Sequence, residues 1–208
     1  VLEDLPGHRQ ARIALAELFA NDEADAADRE ICAEILEPLY RKDEDYPALV
    51  PVLIARQAVA DDPFERAESL SEIASLQERK LDDQAAALAT RAEVLALASD
   101  DLDNRSELSR LAAAVGAQDR QAGWLREAAD AADEPERRIG LLMELARLNE
   151  SALSNDEAAR AQYREVLEIE GEHASAIEAL EKLFTRRAEW EALVELNVGL
   201  AEQSYDED

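Results

Sequence analysis

The segment Asp61-Asp62-Pro63-Phe64-Glu65-Arg66 recurs as Asp133-Glu134-Pro135-Glu136-Arg137-Arg138, 72 residues later. The same shift places Leu70 on Leu142, Glu72 on Glu144, Ala74 on Ala146 and Leu76 on Leu148. It also carries Ala86-Ala87 onto Ala158-Ala159 and Glu93-Val94-Leu95 onto Glu165-Val166-Leu167. A third copy lies upstream. Leu36, Leu108 and Leu180 are in phase, as are Leu39, Leu111 and Leu183. Over two periods Tyr40 meets Phe184, Tyr46 meets Trp190, and Ala48-Leu49-Val50 meets Ala192-Leu193-Val194. No gap is needed. Self-similarity at this spacing predicts stacked units, each burying a face that it cannot bury alone. It points to a scaffold rather than an enzyme.

Each period reads as four helices, or two hairpins of about 36 residues. Pro63 sits at a first helical position, Asp62 is an N-cap, and Glu65 completes a capping box. Helices are expected near 63–81, 84–98, 103–115 and 118–132, then 135–152, 155–170, 174–187 and 189–204. Gly116 and Gly171 are expected to end two of them. The first module shows helices near 8–20, 27–41 and 46–60, with a polar break at 21–26. Pro38 and Pro51 are expected to kink their helices. The fold class is therefore all-α, a right-handed solenoid of about eleven helices over residues 1–208. Its modules are 1–61, which is incomplete, 62–133 and 134–208. The array reads as a piece of a longer one, lacking a clear cap at its acidic tail Gln203–Asp208.

Composition narrows the partners. Forty-nine acids oppose 22 bases, for a net charge of −27. That argues against nucleic acid, which needs a basic face, and against an anionic membrane surface. No stretch approaches the roughly 18 apolar residues of a membrane span, so no membrane insertion is expected. Cys32 is the only cysteine, so no internal disulfide and no Cys-rich zinc site can form. It reads as a small buried helix residue. His8 and His173 read as solvated or capping residues at helix ends. Asp100-Asp101-Leu102-Asp103-Asn104 is rich in oxygens, but Arg105 and Ser106 occupy places where a calcium loop needs a ligand and a glycine. It reads as a capped turn. No nucleophile motif, phosphate loop, cofactor site or metal site is seen.

Residues Arg138 to His173 resemble a tetratricopeptide repeat. Leu142, Leu145 and Ala146 fill the apolar positions of a first helix. Ala159, Tyr163 and Val166 fill the small and aromatic positions of a second, and Val166-Leu167-Glu168-Ile169 resembles its close. Ala179 to Phe184 with Trp190 to Val194 resembles a more divergent copy. The spacing is about 36 rather than 34, most tryptophan and glycine positions of the family are replaced, and its helix-ending proline is absent. The chain is thus TPR-like, with armadillo or HEAT-like helical repeats as the alternative. The resemblance implies protein or peptide binding on a concave face lined by the first helix of each hairpin.

That register singles out a stripe. Anchored at Leu36, Ile73, Leu108, Leu145 and Leu180, the positions two and six residues on hold Pro38 and Lys42, Ser75 and Arg79, Arg110 and Ala114, Arg147 and Ser151, Lys182 and Arg186. None is acidic. Lys42, Arg79, Arg110, Arg147, Lys182 and Arg186 are the candidate partner-binding residues, suited to an acidic segment, a carboxyl terminus or the acidic outer face of another copy. The bland alternative is that they pair with nearby helix acids, as Lys182 with Glu178. The functional expectation is a non-enzymatic interaction scaffold for a protein or peptide. The alternative is a self-assembling protein whose ends join copies head to tail into oligomers or filaments.

Overall fold

The computed structural model describes residues 9–21 and 23–206, the last five of these by backbone alone. His8 and the tip of the acidic tail lie outside the described residues. Among those described, the chain is all-helical. The helices are α1 (Arg9–Phe19), α2 (Ala26–Asp43), α3 (Tyr46–Ala58), α4 (Pro63–Arg79), α5 (Gln84–Leu97), α6 (Leu102–Val115), α7 (Gln118–Ala131), α8 (Pro135–Ser151), α9 (Asp156–Ile169), α10 (Ala174–Arg187) and α11 (Trp190–Asp206). The bounds of α8, α9 and α10 are those of α4, α5 and α6 moved by 72 residues. None of the described helices is long and apolar enough to cross a membrane.

The repeat is written in the turns as well as in the helices. Every even-numbered helix is followed by a left-handed residue. Glu44, Gly116 and Ala188 have φ of 55°, 68° and 57°, and Asp82 and Ser154 have 54° and 52°. Both sets are spaced by 72, since 116 − 44, 188 − 116 and 154 − 82 all equal it. After α2, α6 and α10 the chain makes a Schellman turn: the N–H groups of Asp45, Ala117 and Glu189 reach back to the carbonyls of Tyr40, Ala112 and Phe184 at 3.0, 2.8 and 2.9 Å. After α4 and α8 the turn is wider. There Leu81 and Leu153 bond the carbonyls of Leu76 and Leu148, both at 3.2 Å. Asp83 and Asn155 bond those of Gln77 and Asn149, at 2.9 and 2.8 Å. Two turn geometries thus alternate, which is why adjacent hairpins differ and the period is a pair.

Helix starts follow the same phase. Asp83 and Asn155 cap α5 and α9 by accepting from Ala86 and Ala158. Asp101 caps α6 through Asn104, and His173 takes the equivalent place on α10, its Nδ1 accepting from Ala176 at 3.2 Å. The capping-box expectation needs adjusting: Asp62 accepts from Phe64, one residue short of Glu65. Gly171 does not close α9 in the left-handed region; α9 stops at Ile169 and Glu170 is extended. Helix α2 runs unbroken through Pro38, and α3 through Pro51.

Contacts divide the chain into two compact units, Val1–Leu111 and Ala112–Asp208. In the first, α1 packs on α2, α2 on α3, α3 on α4, and most extensively α4 on α5. Its core joins Cys32, Leu36 and Tyr40 to Leu49 and Leu53, and these to Leu70, Ile73 and Val94. In the second, α7 packs on α8, α8 on α9, α9 on α10 and α10 on α11. Leu125, Leu142, Tyr163, Val166, Leu180 and Phe184 are buried there. The anchors Leu36, Ile73, Leu108, Leu145 and Leu180 are all buried, as an apolar stripe at helical period requires. Cys32 is a free thiol at 2% exposure, pushed up in pKa mainly by burial.

Candidate partner-binding surface

Even-numbered helices are laced to one another by arginine–carboxylate pairs. Arg41 of α2 grips Glu72 of α4 with both terminal nitrogens, one at 2.8 Å. Arg110 of α6 reaches Glu78 of α4 at 2.6 Å. In the second unit Arg186 of α10 reaches Glu150 of α8 at 3.1 Å. Glu78 and Glu150 are equivalent in the repeat. Within each unit, then, arginine side chains bridge the first helices of successive hairpins, and the six cations of the stripe sit on those helices.

In the first unit the stripe is densest at the α4–α5–α6 corner. Arg110 donates to Glu78 and, at 2.7 Å, to Glu107. Glu107 is held below the usual carboxylate range, first by its bond to Arg110 and further by the charges of Arg91 and Arg79. Three guanidinium groups therefore act on one carboxylate. Arg91 of α5 is half-buried. It donates to Asn104 Oδ1 at 3.3 Å and to Ser75 Oγ at 3.2 Å, both neutral. Asn104 Nδ2 returns a bond to the Arg91 carbonyl at 3.1 Å. Burial pushes the Arg91 pKa down, against the pull of Glu107, Asp101 and Glu78. Arg79, the last residue of α4, is exposed and makes no ion pair with a described residue. Lys42, in the last turn of α2, is in the same condition.

In the second unit Arg147 of α8 is exposed and makes no ion pair with a described residue. Its charge reaches Tyr163, whose hydroxyl donates to Glu150 at 3.2 Å. Burial, followed by the Glu150 charge, pushes that phenol up to about 12. Lys182 pairs with Glu178 of its own helix. Arg186 donates to Glu150 and, at 2.8 Å, to Asp156. Helices α4 and α8 hold the same stripe in opposite order: Ser75 then Arg79, against Arg147 then Ser151. Each serine donates backward to its own helix, Ser75 to Ser71 and Ser151 to Arg147.

The six residues thus fall into two kinds. Arg110, Lys182 and Arg186 are neutralised by acids just off the stripe, while Lys42, Arg79 and Arg147 are not. Reading only first helices hides Arg91, which lies on the second helix α5. The signal for it is that Arg91 stands where the next repeat has the core Tyr163, a cation in an aromatic position. Among the described residues no group of three or more His, Cys, Asp or Glu side chains is placed to hold a metal.

No protein-family model matches this chain, and no curated protein matches it. Among solved structures it is similar to the crystal structure of BtubC (BKLC) from P. vanneervenii. The two share 13% identity with a TM-score of 0.44, over 93% of this chain and 87% of that one.

Proposed function

We propose that the chain is a non-enzymatic interaction scaffold, a TPR-like α-solenoid, that binds an acidic segment or carboxyl terminus of a protein partner along its even-numbered helices. Arg79 and Arg147 are the primary contacts, with Lys42 beside them. Arg110, Lys182 and Arg186 exchange intramolecular carboxylates for the partner's. The observation that carries this reading is the exposure of Arg79 and Arg147 without an ion pair. Exposed Lys80, Arg120 and Arg164 also lack an ion pair with a described residue but lie over aromatic rings, whereas Arg79 and Arg147 have neither kind of partner among the described residues. Equivalent helices α4 and α8 each keep one such arginine. A guanidinium fork matches a carboxylate in two parallel bonds, and Arg41 on the two oxygens of Glu72 is an internal example of that recognition.

The test is binding of a glutamate-rich peptide with a free carboxyl terminus, measured by fluorescence anisotropy at low salt. The double variant Arg79→Glu/Arg147→Glu is expected to bind at least tenfold more weakly with unchanged helical circular dichroism. Saturable binding that the double variant retains, or no binding by the unaltered chain, overturns the proposal.

A further inference from the structure

Three positions of the α4–α5–α6 corner break the repeat together. Arg91 stands where the copies before and after have Phe19 and Tyr163. Asn104 stands where they have Cys32 and Ala176, and Glu107 where they have Ile35 and Ala179. The fold thus accepts apolar side chains at all three, and Cys32, Tyr163 and Ala176 are buried. Here Asn104 is 1% exposed and clamps Arg91 with both ends of its amide, Oδ1 accepting from the guanidinium and Nδ2 donating to the Arg91 carbonyl. A half-buried guanidinium whose bonds go only to neutral oxygens costs folding free energy, and nothing in the repeat requires it.

Glu107 is the anion that the corner holds in this structure. Its Oε2 accepts from Arg110 Nε and Nη2 at 3.1 and 2.7 Å. Its side chain is 37% exposed, so it can swing into solvent while Arg110 keeps Glu78. A partner carboxylate that replaced it would exchange like for like, against a competitor tethered on the same chain at high effective concentration. An occupant must therefore offer more. A phosphate monoester carries about −1.5 to −2 charges and three strong acceptor oxygens, which suit the guanidinium groups of Arg79, Arg91 and Arg110. Of the carboxylates whose charge reaches Arg91, Glu78 and Asp101 remain once Glu107 leaves. Asp101 is already engaged by the Asn104 N–H at 3.0 Å, in the first turn of α6. Building on the scaffold reading above, we infer that the Arg79–Arg91–Arg110 corner is a phosphate-monoester site, which takes a phosphorylated residue of the partner's acidic segment in place of Glu107.

The probe is the glutamate-rich peptide made in two forms that differ at one residue, phosphoserine or glutamate. Binding is read by fluorescence anisotropy in about 100 mM sodium chloride, which screens the long-range repulsion of the acidic chain. The phosphoserine form is expected to bind at least tenfold more tightly. Glu107→Gln removes the resident anion and should tighten both forms at least threefold. Arg91→Gln should erase the preference for phosphoserine at unchanged helical circular dichroism. Arg110→Ala, an exposed change, should do the same and decides the matter if Arg91→Gln unfolds the chain. Arg147→Glu lies in the other unit and should weaken both forms while preserving the preference. Equal affinity of the two forms, or no gain from Glu107→Gln, overturns the inference; glutamate-form binding that still depends on Arg147 then leaves the scaffold reading standing. No binding of either form overturns both. Inorganic phosphate that displaces the phosphoserine form at an equal concentration overturns the assignment to a partner segment and makes free phosphate the occupant.

Discussion

Three residues close the Schellman turns of α2, α6 and α10, and only one of them is glycine. Glu44 and Ala188 hold φ of 55° and 57° with a Cβ that crowds the following carbonyl, while Gly116 at 68° does not. Left-handed backbone costs a non-glycine residue roughly 1–2 kcal/mol. Glu44→Gly and Ala188→Gly are therefore each expected to stabilise the protein by about 1 kcal/mol, less the extra freedom glycine has when unfolded. Nothing lies within 4 Å of a Cβ built on Gly116, so Gly116→Ala meets strain without a clash and should destabilise by about 1 kcal/mol. In a chain of this size each change moves Tm by roughly 2–4 °C, measurable by calorimetry. Opposite signs at equivalent positions are the point of the experiment. The glycine at 116 is visible in the sequence as a helix stop, but Glu44, Asp82, Ser154 and Ala188 are not. Asp tolerates the left-handed region, but Glu44, Ser154 and Ala188 adopt it against their own preference.

At the scale of the helix pair, a buried polar clasp joins α4 to α5. Thr90 Oγ1 donates to Gln77 Oε1 at 2.8 Å, with both residues buried. One period on, Asn149 Nδ2 donates to Gln162 Oε1 at 3.3 Å between α8 and α9. The carbonyls of Gln77 and Asn149 also accept the bonds that close the wide turn, so one residue sets both the turn and the grip on the next helix. Thr90→Val strands a buried amide oxygen and is expected to cost about 1–3 kcal/mol. Adding Gln77→Leu removes the stranded group and should recover most of that loss, a coupling that a double-mutant cycle in urea measures directly. Matching identical residues at 72 does not find this clasp, because Gln77 became Asn149 and Thr90 became Gln162. The chemistry persists while the letters and the donor direction change. Helix positions, by contrast, were legible almost to the residue, because Pro63, Pro135, Asp83, Asp101 and Gly116 mark starts and stops by local chemistry that packing does not override. The Lys182–Glu178 pair was legible from its i, i+4 spacing, but not that Arg110 and Arg186 would find carboxylates on other helices. That depends on Glu78 and Glu150 reaching across from α4 and α8, a matter of helix spacing rather than of sequence distance.

Over the whole molecule, two electrostatic effects compete. The described arginines and lysines make many ion pairs; few have both partners well exposed, as Lys182 and Glu178 are at 70% and 64%, but nearly all have at least one in solvent. Such pairs are each worth about 0–1 kcal/mol and weaken with salt. Against them stands a charge of −27 spread over 208 residues. Even with every base paired, 49 acids less 22 bases leaves 27 carboxylates with no cation, and their mutual repulsion opposes compaction. Screening removes both terms, since the Debye length falls from about 30 Å at 0.01 M to about 10 Å at 0.1 M. The pairs act at contact distance and are screened incompletely, whereas the repulsion sums over longer range and is screened first. The repulsion therefore dominates the response to salt. Tm is expected to rise steadily between about 10 mM and about 100 mM sodium chloride, the two Debye regimes just named. A Tm that falls over the same range would mean that the arginine lacing between even-numbered helices, rather than the excess of acid, governs the stability of the folded chain.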